Sequence, residues 1–228
     1  MTRDRTSALL AALQHGDSAF PSGSFGFSNG IEGLAAVGAR LDKAGLAAAV
    51  TAAVRHRWAP ADRVALALAY RAGTDVGRLA EIDARLEAAT LIEPLRVGSK
   101  RNGGALLAAH VRLQTPGAAL LRRAIDAGTA LGHLPVVQGF VWRAIGLDET
   151  DAIAMSGYGA AASLVAAAVR LGTIGAVEAQ HVLAGVLGEI AAIAISAVDR
   201  NAEIESFVPW IDAAAARHAR AHVRLFAS

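Results

Sequence analysis

Helical periodicity recurs along almost the whole chain, and no run of β-branched residues alternates with polar ones. That pattern leaves little room for a sheet and points to an all-α protein. The apolar count supports close helix packing, because apolar residues make up 54% of the chain while aromatics reach only 5%. Alanine and glycine supply much of that total. Alanine loses no side-chain entropy in a helix and lets backbones approach each other. Charged residues are only 18% and mean hydropathy is +0.40, so a small fold is expected to leave apolar surface that a second copy covers.

The punctuation divides the 228 residues into helices. A short first helix is expected over Thr6–Gln14, then Asn29–Val37, Asp42–Trp58 and Ala61–Ala72, with Pro60 in a first turn where proline is tolerated. Asp75 caps a helix to about Leu91, and Pro94 marks the next boundary. Helices follow at Leu95–Gln114, Gly117–Ala127 and Leu134–Ile145. Asp148, with Glu149 and Asp151 behind it, starts a helix to Leu171, since acids suit the positive end of the dipole. Gly172 and Gly175 separate it from Ala176–Asp199, and Pro209 opens a last segment. No linker, repeat or charge block interrupts the series. The expectation is one domain over 1–228, a bundle of roughly ten helices, with a tail at about 204–228 that is mobile or docks a partner.

Several function classes drop out. A net charge of +2 is too small for a nucleic-acid footprint. The absence of cysteine removes disulfides, thiolate metal sites and cysteine nucleophiles. The N-terminus lacks the apolar length of a secretory signal. The uncharged stretch Ala152–Val169 is 18 residues, yet alanine dominates it and Ser156, Gly157, Gly159 and Ser163 interrupt it, so it reads as a buried helix rather than a membrane span. A cytoplasmic protein without a membrane segment is expected.

The one irregular stretch is Asp17-Ser18-Ala19-Phe20-Pro21-Ser22-Gly23-Ser24-Phe25-Gly26-Phe27-Ser28-Asn29-Gly30-Ile31-Glu32. It matches neither phosphate-binding glycine pattern and carries no GxSxG elbow. Read from the residues alone, it is an aromatic-rich turn entering a helix, with Asn29 and Glu32 as N-cap and N3 partners. Catalysis finds no paired carboxylates at a telling spacing; Asp17, Glu32, Glu93 and Asp126 suit capping or ion pairs. His218 and His222, four apart, are the metal candidates by spacing. Arg217, Arg220 and Arg224 beside them disfavour a cation, so that face reads as basic docking surface. Arg96, Lys100, Arg101 and Arg170 are candidate positive contacts of an interface.

The pattern Asp17…Phe20-Pro21…Gly23…Phe25…Ser28…Gly30…Glu32 resembles the N-terminal signature of the F-type accessory proteins of urease maturation. Three later stretches are similar in order: Glu93-Pro94-Leu95-Arg96 with Ser99, Gly103, Leu106 and Leu107; Gly132-His133-Leu134-Pro135-Val136-Val137-Gln138-Gly139; and Ala162–Gly172 with Gly175 and Gln180. Ser163 stands where asparagine is frequent, and Ala176 where glutamine is. The resemblance implies an all-helical fold that forms homodimers. It implies a complex with the D/H-type scaffold protein and the G-type GTPase, acting on apo-urease. This chain would regulate GTP turnover so that nickel is inserted at the right step, holding no permanent cofactor and no catalytic residue of its own. The contacts are placed on the Phe20–Glu32 region, Arg96, Ser99, Arg170, Gln180 and the C-terminal helix with Arg217 and Arg220. The alternatives are a serine hydrolase using Ser22, Ser24 or Ser28, and a generic helical oligomerisation module.

Overall fold

The computed structural model describes residues 5–17, 19–22 and 30–218, and every regular element among them is helical. The order is α1 (Arg5–Gly16), α2 (Ile31–Ala36), α3 (Lys43–Ala53), a π-helical segment (Val54–Asp62), α4 (Arg63–Ala72), α5 (Val76–Ala89), α6 (Glu93–Arg112), α7 (Ala118–Asp126), α8 (Leu134–Ala144), α9 (Glu149–Arg170), α10 (Ala176–Ala194) and α11 (Pro209–His218). The expected all-α, single-domain bundle is what the chain forms.

Local chemistry explains the boundaries. The Asp42, Asp75 and Asp148 carboxylates accept the N–H groups of Gly45, Arg78 and Asp151 at 3.0, 3.0 and 2.7 Å, each satisfying an otherwise orphaned helix donor. Pro94 and Pro135 stand in first turns.

The centre is the α4–α8 pair. Val64 through Ala69 are all buried, as are Val136, Val137, Phe140, Val141 and Trp142 opposite them. Gly139 sets the spacing: a Cβ there would run into the Leu66 carbonyl and lie 2.9 Å from the Tyr70 nitrogen. Gly157 does the same for α9, where a Cβ would come within 2.6 Å of both Trp58 and Ile190. Half of the most apolar window of α9 is buried, so this helix crosses the protein's own core, as the Ala152–Val169 stretch suggested. By length and apolarity α10 would also span a membrane, but only 28% of its window is buried.

Three expectations are corrected. Pro60 does not separate two helices: α3, the π segment and α4 run on continuously through it. In an α-helix a proline ring clashes with the carbonyl four residues back and cannot bond to it. Here the wider π turn makes room, and that carbonyl, on His56, accepts the N–H of Phe207 at 2.9 Å. Next, α2 begins one residue later than the expected Asn29–Glu32 capping pair requires. The cap residue is Gly30 in the left-handed region (φ 91°), with no side-chain bond, and Glu32 is buried; Asn29 lies outside the described residues. Glycine is required at 30 because a Cβ would press on Ile211. Finally, α10 stops at Ala194 rather than near Asp199. The Arg63 guanidinium takes the carbonyls of Ile193 and Ser196 at 2.9 and 3.2 Å and the Ser196 hydroxyl at 2.8 Å, which turns the chain out of the helix. Of the tail 204–228, the part to residue 218 packs on the bundle through Ile204, Val208, Ile211, Ala214 and Ala215.

Candidate functional site

α5 presents Leu79, Ile82, Asp83 and Leu86 to the core, an apolar stripe with one acid in it. The Asp83 carboxylate is fully buried and sits under the turn that begins α8. One oxygen accepts the N–H groups of Leu131 and Gly132 at 3.1 and 2.8 Å, and the other accepts that of His133 at 2.9 Å. Burial pushes its carboxyl up, while these three donors favour the ionised form. One helical turn on, Glu87 accepts the His133 imidazole Nε2 at 2.7 Å and the Lys100 ammonium at 3.0 Å, with Arg96 at 3.3 Å. Partial burial works against ionisation of Glu87, but Lys100 and His133 outweigh it and hold the carboxyl below the usual range. Burial, only partly offset by Asp83 and Glu87, lowers His133. Its buried Nδ1 finds no hydrogen-bond partner.

The same joint uses the α6 motif. Ser99 Oγ accepts the Leu134 N–H at 3.2 Å. Arg96 donates to the carbonyls of Thr90 and Leu91, both at 2.8 Å. Gly103 lies against the Gly132 carbonyl so closely that no Cβ fits. The stretches Glu93–Gly103 and Gly132–Pro135 are therefore two halves of one fastening.

Beside this joint lies a cavity of about 640 Å³, walled by the π segment, α6, α8 and α9, with the end of α1 at its edge. It gathers Asp17, Phe20, Ser99, Arg170 and Gln180 from four separate parts of the sequence. Its walls are mostly apolar, with a polar chain in which Trp58 Nε1 donates to Ser156 Oγ at 3.3 Å and that hydroxyl donates to Gln138 at 3.2 Å. Arg57 stands 3.8 Å from the Asp62 carboxylate. Burial pushes Asp62 up, and Arg57 and then His133 pull it back. Two buried polar atoms on the lining residues, Trp142 Nε1 and Asn102 Oδ1, have no hydrogen-bond partner.

The other expected site residues divide by exposure. Asp17, Pro21, Gln180 and Arg217 reach the surface, whereas Gly30 and Glu32 are buried and Arg96 and Ser99 serve the internal joint. Gly23, Phe25, Ser28, Arg220 and His222 lie outside the described residues, as does the His218 side chain. Among the described residues no three His, Cys, Asp or Glu side chains cluster as a metal site. Of the serines whose bonds are described, Ser99, Ser156, Ser163 and Ser196 engage backbone, Trp58, Gln138 or Arg63. Ser24 lies outside the described residues with Ser28. Sequence reading passed over Asp83, Glu87 and Asn102. The signal was there in the first two, as acids four apart on one face of α5.

A family model described as UreF matches residues 41–187. The urease accessory protein UreF of Yersinia pestis (strain Pestoides F) is 31% identical over 227 residues, covering 97% of this chain and 99% of the relative. That of Trichodesmium erythraeum (strain IMS101) is 32% identical over 234 aligned positions, covering 100% of both chains. Signature motifs that close one structural joint, an all-helical bundle and end-to-end similarity agree, and this chain belongs to the UreF family of urease accessory proteins.

Proposed function

We propose that this chain acts in the cytoplasm as a non-catalytic subunit of the machinery that inserts nickel into urease. It binds the D/H-type scaffold and the G-type GTPase as a homodimer and regulates the GTPase, with nickel as the cargo of the assembly. The observation that carries this reading is the outer face of α10. Val177 and Ile195 are 73% and 77% exposed and Leu187 lies between them. Gly185 and Gly188 sit on the same exposed side, and a Cβ at either would meet nothing within 4 Å. A glycine inside a helix costs about 1 kcal/mol relative to alanine. Nothing among the described residues repays that cost, whereas a second helix laid closely across this face would. A helix this apolar and this little buried fits a protein whose work is association. α1 supports the same view, with no buried residue and Leu9, Leu10 and Leu13 exposed.

Co-expression with the scaffold and the GTPase, followed by size exclusion with light scattering, tests the proposal. A ternary complex containing two copies of this chain is expected, and Gly188→Arg should yield a monomer of 23.3 kDa with unchanged helicity. A wild-type chain that stays monomeric and captures neither partner would reject it.

A further inference from the structure

The extended stretch between α10 and α11, residues 195–208, is fastened in an unusual way. Arginines on two helices grip its backbone: Arg63 holds the carbonyls of Ile193 and Ser196, Arg71 that of Val198 at 2.8 Å, and Arg85 that of Ala202 at 2.6 Å. Beyond them the strap turns donor. The Glu205 N–H reaches the Pro60 carbonyl at 3.2 Å and the Phe207 N–H reaches that of His56 at 2.9 Å. Only Val198, Ile204 and Val208 give it buried apolar side chains. An element held by polar backbone contacts and few apolar ones belongs to the low-stability end of a fold. The strap also carries Phe207, 75% exposed, and leads into Trp210, 60% exposed.

Its target is the π segment, and π turns are strained insertions that concentrate at functional places. Pro60 cannot serve the His56 carbonyl, and the strap does so instead. On its other side the same segment gives Arg57, Trp58 and Asp62 to the cavity wall. Two backbone hydrogen bonds, at Pro60 and His56, thus join a strap with an exposed aromatic ring to the segment that walls the cavity.

We propose that the strap is a two-position latch on the π turn. Seated, it holds the widened turn and the Arg57–Trp58–Asp62 wall in place; lifted, it releases both. The latch is a property of this chain alone and is tested without any partner, so its failure leaves the accessory role untouched.

Hydrogen exchange of the purified full-length chain, read by mass spectrometry, is the test. Phe207→Pro deletes the N–H, and Phe207→Ala keeps it while deleting the ring. Loss of one hydrogen bond should speed exchange across residues 54–66 about tenfold in Phe207→Pro. Phe207→Ala should match the wild type there, and α9 should be unchanged in both. Pro60→Ala supplies an N–H that can reclaim the His56 carbonyl in α-helical register, so Pro60→Ala with Phe207→Pro should return exchange to within about twofold of wild type. Wild-type exchange over 54–66 in Phe207→Pro overturns the latch, as does faster exchange everywhere that the double variant fails to reverse. Should Phe207→Pro not fold, Pro60→Ala alone decides: faster exchange at 199–208 supports the latch, because its acceptor is contested, and no change there refutes it.

Discussion

Replacing Asp83 with alanine removes the acceptor for three backbone donors at once. Two of them, on Gly132 and His133, are in buried bonds at 2.8 and 2.9 Å; the third, on Leu131, is partly buried at 3.1 Å. An orphaned buried donor costs about 1–3 kcal/mol. Two such groups, plus a smaller loss at Leu131 and a void where the carboxylate stood, give roughly 3–6 kcal/mol. Against a domain stability of about 5–15 kcal/mol that is severe, and for this length it corresponds to a Tm loss of roughly 10–20 °C. Asp83→Asn is the informative partner, because its carbonyl oxygen still accepts while its NH2 group faces donors. One lost bond predicts about 1–3 kcal/mol. Urea unfolding followed by circular dichroism at 222 nm measures both. Asp83→Ala within about 1 kcal/mol of wild type would refute the accounting, since no buried donor would then depend on Asp83. Asp83→Asn as damaging as Asp83→Ala would show that charge, rather than acceptor geometry, holds the turn.

Other substitutions probe the packing and the pH response. Gly139→Ala forces α4 and α8 apart at the Leu66 carbonyl and should lose about 2–4 kcal/mol despite better helix propensity, whereas Gly104→Ala, with nothing within 4 Å of the new Cβ, should gain up to about 1 kcal/mol; thermal melts compare them. His110 is fully buried, its Nδ1 bonded to Thr115 Oγ1 at 2.8 Å, and burial followed by the nearby His15 lowers its pKa from 6.5 to about 4. Because the folded value lies below the unfolded one, the unfolded chain binds more protons between those limits. The contribution is therefore complete above pH 6.5 and fades as pH falls toward about 4. After a discount for screening it amounts to roughly 1–3 kcal/mol. Urea midpoints at several pH values should show a shallower acid loss in His110→Gln, and an unchanged slope would remove His110 from the account.

Helix existence was readable because the signals are local. The Asp75 cap, the Asp148 helix start and the Pro94 boundary fell where the sequence placed them, since a cap needs only the three residues after it. What escaped reading depends on partners far along the chain. Pro60 looked like a boundary because the donor that replaces its missing N–H comes from Phe207. The premature end of α10 depends on Arg63, and the cap of α2 on how closely Ile211 approaches Gly30. The cavity draws on helices from one end of the chain to the other, so no window of sequence could reveal it.

The motifs that identify the family and the surfaces that do its work need not coincide. Arg96, Ser99, Gly103, His133 and Gly139 are all spent inside the protein, on carbonyls, N–H groups and close backbone contacts of the α5–α6–α8 joint and the α4–α8 pair. Their side chains are committed before any partner arrives, so substituting them tests folding first. Gly185 and Gly188 present the opposite case, since no described residue comes near where their Cβ atoms would be, and Phe207 and Trp210 are mostly exposed. Nothing among the described residues explains these apolar choices, and the proposed association would. On that physical ground, partner mutagenesis belongs on α10 and the strap, at positions the signature never mentions.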